Sequence, residues 1–350
     1  MLEIKDISKK FPDFELNGIS FRVAKGDYFI LLGESGAGKS MILETIAGLV
    51  RPDSGEIWLD GKEISHTKIQ ERKIGLVFQD HAVFPHLTVM ENIAFALHAQ
   101  GLSREEKRLR VKEIARLLGI SGLLHRSPTS LSGGELQRVA LGRTLIQKPR
   151  VLLLDEPLAS LDIQLKRDLR RLLRSIHQEG QTIIHVTHDY EEALALGTNI
   201  AVIHKGQVIQ TGTPEAVFTH PKSEFVAHFV GVKNFFSVHL EIRDQITFAI
   251  TNNNIPIRIV SESINEDAFI LIRGEDILVS NTPVETSATN NFPGKIVEIV
   301  PGVQGVNLTV NIGIEMHALI TRESVEKLNL KAGGKCWIHF KATAVKMIAK

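Results

Sequence analysis

The chain has 350 residues, 43% apolar and 23% charged, with a formal net charge of +1; this is the balance of an ordinary globular protein, and the length favours two cores over one. Lysine plus arginine stand against aspartate plus glutamate as 29 to 28 over residues 1–231 and 12 to 12 over residues 232–350, so neither part carries the basic stripe that nucleic-acid binding needs. The lone cysteine, Cys336, rules out an intrachain disulfide framework and fits a reducing compartment. The opening MLEIKDISKK lacks the apolar run of a signal peptide, and no stretch approaches the ~18 apolar residues of a membrane span. Any service to a membrane must then go through a separate membrane subunit.

Residues 1–30 read as strands: LEIKDI and FELNGISFRV alternate apolar and polar positions, with the turn signals PD and NG between them. DYFILLG is a buried strand that stops at a glycine, GESGAGKS follows, and MILETIAGLV continues as a helix. EIWLDGKEI has the pattern of a hairpin around Asp60-Gly61, and IGLVFQ that of a short buried strand. Residues from about 87 to 147 look mostly helical, with Ser103 as an N-cap and Gly119 as a stop for one amphipathic helix. RVLLLDEP is a strand, SLDIQLKRDLRRLLRSIHQEG a charged helix ending at Gly180, TIIHVTH a strand, DYEEALALG a helix, and IAVIHKGQVIQTG a hairpin around Lys205-Gly206. Strands alternating with helices imply an α/β core with a largely parallel sheet. After about Gly231 the texture changes to strand-like segments joined by polar loops, with RESVEKLNL the clear helical stretch. This predicts a second, mainly β domain over 232–350.

GESGAGKS fits the phosphate-loop pattern G-x-x-x-x-G-K-[ST], with a strand before it and a helix after it. Gly33, Gly36 and Gly38 let the backbone curl so that N–H groups, those of Glu34, Ser35, Ala37 and Met41 included, converge on one anion at a helix start. Lys39 adds positive charge for the β and γ phosphates, and the Ser40 hydroxyl is a ligand for Mg²⁺. VLLLDEP ends a buried strand on two carboxylates, an arrangement that is costly unless it serves a cation or a reaction. Asp155 is the candidate to hold Mg²⁺, and Glu156 the candidate to polarise an attacking water. His188 ends the strand TIIHVT, where it can reach a γ-phosphate; His185, three residues earlier, reads as structural. Gln79 ends IGLVFQ, and its amide suits either Mg²⁺ or the attacking water.

LSGGELQR, residues 131–138, opens a further helix on Ser132, Gly133 and Gly134 and so forms a second anion site. Two such loops clamp one nucleotide only where two copies meet face to face. This combination resembles the ABC ATPases from Leu2 to about Gly231: GESGAGKS is similar to their Walker A, Gln79 to the Q-loop, LSGGELQR to the signature, LLLDEP to Walker B, Ser160-Leu161-Asp162 to the D-loop and His188 to the switch histidine. The resemblance implies a P-loop NTPase fold with a helical subdomain over about 87–147. It implies ATP and Mg²⁺ as cofactors, and a head-to-tail dimer in which the P-loop of one copy and Ser132, Gly133, Gly134 and Glu135 of the other enclose the nucleotide, with Asp162 nearby. Phe11 stands where the family stacks an aromatic on adenine, with Phe14 as its rival. The family also implies a transmembrane permease dimer seated on residues 79–87, with Val83, Phe84 and Pro85 as apolar contacts. An extracytoplasmic substrate-binding protein and a peripheral location on the cytoplasmic face of the membrane follow. Leu136 replaces a glutamine common in importers, and Gly142 an alanine.

A regulatory domain after the ATPase is typical of one importer branch. FILIRGEDILVS resembles that branch's R-P-E-D segment with Gly274 in place of proline, and residues 320–348 are similar to the mop/TOBE-type module, an OB-like barrel, of molybdate and tungstate importer ATPases. A tetrahedral dianion needs charge and fixed donors; Arg322 and Lys341 supply charge, Thr321 and Thr343 hydroxyls. The expectation is uptake of molybdate or tungstate, with feedback inhibition by oxyanion bound at the C-terminal domain. Sulfate, another anion, a sugar or a polyamine is the alternative substrate. A soluble ABC protein acting on DNA or ribosomes, or an oxyanion sensor with incidental ATPase activity, is the more distant alternative.

Overall fold

The computed structural model describes residues 1–159, 161–260, 267–302 and 305–349. The chain divides into two compact units, Met1–Val217 and Phe218–Lys350.

The first unit opens with an antiparallel sheet of β1 (Leu2–Lys10), β2 (Glu15–Val23), β4 (Ser54–Leu59) and β5 (Lys62–Glu63), in the order β2-β1-β4-β5. The turn between β1 and β2 closes at Phe11 N–H to the Phe14 carbonyl, so the PD signal is a turn. The NG signal is not. Gly18 lies inside β2 with φ +61°, beside a register shift between Ile7 and Lys9, and its N–H bonds the Ser8 hydroxyl. A left-handed residue within a strand is the mark of a bulge. Asp60 and Gly61 both have positive φ and join β4 to β5, as a two-residue hairpin turn requires.

The second sheet is the centre of the unit. It contains β3 (Tyr28–Leu32), β6 (Ile74–Val77), β7 (Val151–Asp155), β8 (Thr182–Thr187), β9 (Asn199–His204) and β10 (Gln207–Gly212), in the order β10-β9-β3-β8-β7-β6. All pairs are parallel except β9 with β10. β3 and β8 are buried along their whole length, as strands covered on both faces must be. Helices α1 (Lys39–Ala47), α5 (Ile163–Gln178) and α6 (Tyr190–Leu196) connect it, and α7 (Pro214–Thr219) crosses the division between units. One apolar cluster joins Ile4 of β1, Phe21 of β2, Ile42 and Ile46 of α1, Leu153 of β7 and Ile184 of β8. Arg72 is 3% exposed, and its guanidinium donates to the carbonyls of Thr45, Ile46, Ser65 and Thr67. A cation at the C-terminal end of α1 suits the helix dipole and anchors the end away from the phosphate loop.

The helical part comprises α2 (Val89–Ala94), α3 (Arg104–Leu117) and α4 (Gly133–Leu145). Each begins with a capping box, on Thr88, Ser103 and Ser132 in turn. Gly142 is explained by packing, since a Cβ there would lie 3.0 Å from Leu118 and 3.3 Å from Ile93.

The second unit holds α8 (Glu224–Phe229), whose Ala227 packs with Phe235 and Leu271. That contact assigns residues before Gly231 to this unit. Its strands are β11 (Asn234–Arg243), β12 (Ile246–Thr251), β13 (Pro256–Ile259), β14 (Asp267–Ile272), β15 (Leu278–Ser280), β16 (Asn290–Pro301), β17 (Val306–Asn311), β18 (Glu315–Ile320), β19 (Lys335–Phe340) and β20 (Lys346–Ala349), with α9 (Arg322–Lys327) between β18 and β19. They form two antiparallel sheets, β13-β12-β11-β14-β20 and β15-β19-β16-β17-β18, that share one core including Leu240, Ile270, Leu308 and Ile338. The region is mainly β, as expected.

Candidate functional site

The parallel register brings four strand ends to one edge. Leu32 pairs with Thr187, Asp155 with Val186, and Val77 with Leu154. The residues that follow are Gly33, Glu156, His188 and Phe78-Gln79. In open α/β sheets this carboxyl edge is where ligands bind.

Two glycines of the phosphate loop are irreplaceable for reasons of space. A Cβ on Gly33 would lie 2.3 Å from the Ile203 carbonyl oxygen. Gly38, at φ +98°, caps α1, and a Cβ there would meet the Phe14 ring at 2.7 Å. Lys39 is 4% exposed, and its Nζ donates to the carbonyls of Gly33 at 2.9 Å and Glu34 at 2.8 Å. The loop is thereby wrapped around its own ammonium group. Burial lowers the Lys39 pKa, and the nearby carboxylates of Glu156, Asp155 and Glu34 oppose that fall. Glu34, Ser35 and Gly36 are exposed, Ala37 is buried, and Ser40 is exposed beside half-buried Met41.

Ser40 Oγ donates to Asp155 Oδ1 at 2.9 Å. Burial raises the Asp155 pKa, and Glu156 and Glu44 push the same way, against the Ser40 bond and Lys39. A carboxylate pressed by neighbouring acids next to a hydroxyl oxygen is the donor set a hard divalent cation relieves. The chain turns sharply after β7: Glu156 has φ +44°, a left-handed conformation unusual for glutamate. The turn lets adjacent acids face different partners. Asp155 faces Ser40, while Glu156 Oε1 accepts from His188 Nδ1 at 3.2 Å. Backbone strain of this kind concentrates at active sites.

Beneath His188 lies a buried polar chain. Thr187 Oγ1 donates to Glu192 Oε2 at 2.7 Å and accepts from Asp189 N–H at 3.0 Å. The Tyr28 hydroxyl bonds His185 Nδ1 at 2.9 Å. His185 is fully buried, and burial depresses its pKa to about 3, so it is the structural histidine expected.

A cleft of about 560 Å³ is lined by Phe78, Gln79, Asp80, His81, Gly133, Asp155, Ala159 and Leu161. Gln79 and Asp155 therefore share one cavity with the start of α4. Ser132 caps α4: its hydroxyl and N–H both donate to Glu135 Oε2, at 3.0 and 2.8 Å. These bonds hold the Glu135 carboxyl below its usual pKa. Asp162 Oδ1 accepts from Leu165 N–H and so caps α5; Ser160 lies outside the described residues. Phe11 is half-buried at the β1–β2 turn, while Phe14 is packed behind Gly38 and Gly206.

In the second unit Thr321 caps α9 through Ser324 N–H, and Arg322 follows it. Lys341 and Thr343 lie just beyond β19. β19 pairs with the Asn290 end of β16, whereas β17, which carries β18 and Thr321, pairs at Val306 with its Pro301 end. The two pairs of residues thus stand at opposite ends of β16 within one chain.

The family profile described as ABC transporter matches residues 16–159, and the TOBE domain profile matches residues 286–347. The molybdate/tungstate import ATP-binding protein of Pyrococcus abyssi is 41% identical over 351 aligned positions, covering 99% of this chain and 100% of that protein. The chain belongs to the ATP-binding subunits of ABC importers. It is an ATP hydrolase coupled to transport. The sulfate/thiosulfate import ATP-binding protein of Gloeobacter violaceus is 45% identical over 249 residues, 71% of this chain and 72% of its own length. A solved ATP-binding cassette, in a dimeric post-hydrolysis state bound to ADP and Pi, superposes with a TM-score of 0.56 at 30% identity, covering 61% of this chain and 99% of that one. The P-loop fold and the C-terminal TOBE region expected from the motifs are both present in this ABC ATPase.

Beside the residue 79–87 loop, which the resemblance implied as a partner contact, lies a groove. It encloses about 540 Å³ and is lined by Leu76, His81, Ala82, Phe95, His98 and Arg143 among others. Of the apolar residues expected at a partner contact, Phe84 is packed against Phe95 at 4.6 Å, Val83 is half-buried and Pro85 is exposed.

Proposed function

We propose that this importer ATPase energises uptake of a tetrahedral oxyanion, molybdate or tungstate. The observation that carries the reading is the full-length correspondence with a molybdate/tungstate import relative, which runs through the TOBE region as well as the ATPase. Sulfate is the second reading, favoured by the 45% identity to a sulfate/thiosulfate import relative.

At the nucleotide, the backbone N–H groups of residues 33–41 cradle the phosphates, and Lys39 turns from the Gly33 and Glu34 carbonyls toward the β and γ positions. Ser40, Asp155 and the Gln79 amide would hold Mg²⁺, which would supply positive charge to offset that of the β and γ phosphates. Glu156 takes the proton of the attacking water. His188 orients Glu156 through their 3.2 Å bond and faces the γ-phosphate. Phe11 stacks on adenine, since Phe14 is committed to packing behind Gly38. Ser132, Gly133, Gly134 and Glu135 act on the nucleotide of a second copy, with Asp162 at the same junction. There the Ser132 hydroxyl exchanges Glu135 for a phosphate oxygen.

The groove beside Phe95 and Arg143 receives a cytoplasmic helix of a transmembrane permease dimer. An extracytoplasmic binding protein delivers the oxyanion. No helix among the described residues is long and apolar enough to cross a membrane; the chain sits peripherally at the cytoplasmic face by docking on the permease. In the TOBE region, Thr321 and Arg322 of one copy and Lys341 and Thr343 of another form a regulatory oxyanion seat, because the two pairs stand at opposite ends of β16. Oxyanion there restrains the ATPase, a coupling between two distinct sites.

The test is calorimetric titration of the full chain with molybdate, tungstate, sulfate and phosphate at fixed ionic strength. Saturable binding of molybdate or tungstate, lost in Arg322→Ala and Lys341→Ala, supports the seat. Heat from sulfate alone favours the second reading, and no heat from any oxyanion removes the seat.

A further inference from the structure

The loop that carries Gln79 forms a wall between two cavities. Phe78 and His81 line both the groove of about 540 Å³ and the cleft of about 560 Å³ that contains Gln79 and Asp155. This wall is held in an unusual shape. His81 and Ala82 are consecutive non-glycine residues with φ of +64° and +45°. The loop doubles back on itself through His81 N–H to the Phe78 carbonyl and Ala82 N–H to the Asp80 carbonyl, at 3.2 and 2.8 Å. Left-handed conformations in such residues persist only where surrounding contacts impose them.

Two side chains impose this one. Asn92, fully buried on α2, accepts from Phe84 N–H and donates to the carbonyls of Phe84, Leu87 and Thr88. It fixes the far half of the loop. The near half is held from α4. The Arg143 guanidinium donates to the Ala82 carbonyl and lies 4.3 Å from the centre of the Phe84 ring, which itself packs on Phe95. Arg143 lines the groove, and burial lowers its pKa. One residue later, Thr144 Oγ1 donates to the Leu76 carbonyl, so the same turn of α4 also grips β6. The first turn of α4 is Ser132-Gly133-Gly134.

We infer that Arg143 is a positioning residue for ATP hydrolysis: it sets the backbone turn from which Gln79 reaches the Asp155 cleft, and it ties that turn to the helix that begins with the signature glycines. Arg143 is not among the residues that line the cleft of Gln79 and Asp155, and it acts through Gln79. The inference rests on the reading of Gln79 as a ligand of Mg²⁺ or of the attacking water. A planar fork that bonds a carbonyl while lying against a ring is specific to arginine; lysine reproduces its charge and part of its ring contact but not the fork.

The experiment is a double-mutant cycle on the purified full chain: Arg143→Met, Arg143→Lys, Gln79→Ala and the double variant Gln79→Ala/Arg143→Met. Steady-state kcat and KM for ATP are expressed per nucleotide-binding site, which removes any fraction that fails to fold. The expected result is a fall in kcat of about 2- to 30-fold for Arg143→Met, with KM for ATP little changed. Arg143→Lys should recover part of the loss. The double variant should be no slower than Gln79→Ala alone, because both substitutions remove one function. An unchanged kcat per binding site in Arg143→Met overturns the inference and reduces Arg143 to a packing role. Multiplying effects in the double variant, with Gln79→Ala itself slow, overturn it while leaving Gln79 in its role. A Gln79→Ala chain with normal kcat overturns both.

Discussion

Replacing Glu156 by glutamine isolates proton transfer from geometry. The side chain is 18% exposed, and its Oε1 accepts from His188 Nδ1 at 3.2 Å. Glutamine has the same length and keeps an oxygen for that bond, so the turn after β7 and the His188 contact survive. What it lacks is basicity. General-base catalysis by a positioned side chain contributes about 10²–10⁴-fold, which is about 2.7–5.4 kcal/mol of barrier at 1.36 kcal/mol per decade. Glu156→Gln should therefore lower single-turnover hydrolysis of saturating ATP with Mg²⁺ by that factor. The Kd for ATP and the melting temperature should stay near wild type. The uncleaved nucleotide should also hold two copies together, visible as a dimer in size-exclusion chromatography with ATP. Turnover within about threefold of wild type, well short of the general-base range, would refute the assignment. A matching loss of ATP binding would show instead that Glu156 shapes the site.

Three further outcomes follow from the same geometry. Gly38→Ala forces a Cβ to 2.7 Å from Phe14 at φ +98°, so the phosphate loop must distort at a cost of about 1–3 kcal/mol; equilibrium dialysis should find ATP affinity reduced in a chain that still folds by circular dichroism. Ser40→Ala removes the hydroxyl that meets Asp155, and nucleotide affinity should fall in the presence of Mg²⁺ but stay unchanged in EDTA; equal losses in both would remove Ser40 from the metal site. His185 has a folded pKa of about 3 against 6.5 for the unfolded chain, so the unfolded state takes up the proton first and stability is lost as pH falls below 6.5. Between pH 6.5 and 4.5 the loss is about 2–3 kcal/mol; urea unfolding of His185→Gln, which keeps an acceptor for Tyr28, should lack this increment, and an unaltered acid slope would contradict it.

The candidate nucleotide site was legible as a set of strand ends because its motifs are local. GESGAGKS, LLLDEP and VTH each end a buried strand, and a parallel sheet brings such ends to one edge without further instruction. Asp60-Gly61 and Lys205-Gly206 were legible as turns because both residues of each pair take left-handed conformations, which hairpins demand. Asn17-Gly18 has the same signature, yet Gly18 serves a bulge whose partner, Ser8, is chosen by pairing rather than by neighbours in the chain. Arg143 carries no local signal, since its role depends on a carbonyl and a ring 59 or more positions away in the chain. The oxyanion residues were grouped by chemistry, but the register places them at opposite ends of β16. The change of texture stands at about Gly231, after α8, whose Ala227 packs with Phe235 and Leu271 in the second unit.

The most direct test of the account is ATP-driven uptake of labelled molybdate and tungstate, with sulfate as competitor, into vesicles carrying the complete transporter. Wild-type chain should drive accumulation of molybdate or tungstate that excess sulfate leaves largely intact, and Glu156→Gln should abolish it. Accumulation of labelled sulfate but not of molybdate or tungstate, or uptake that persists in Glu156→Gln, would contradict it.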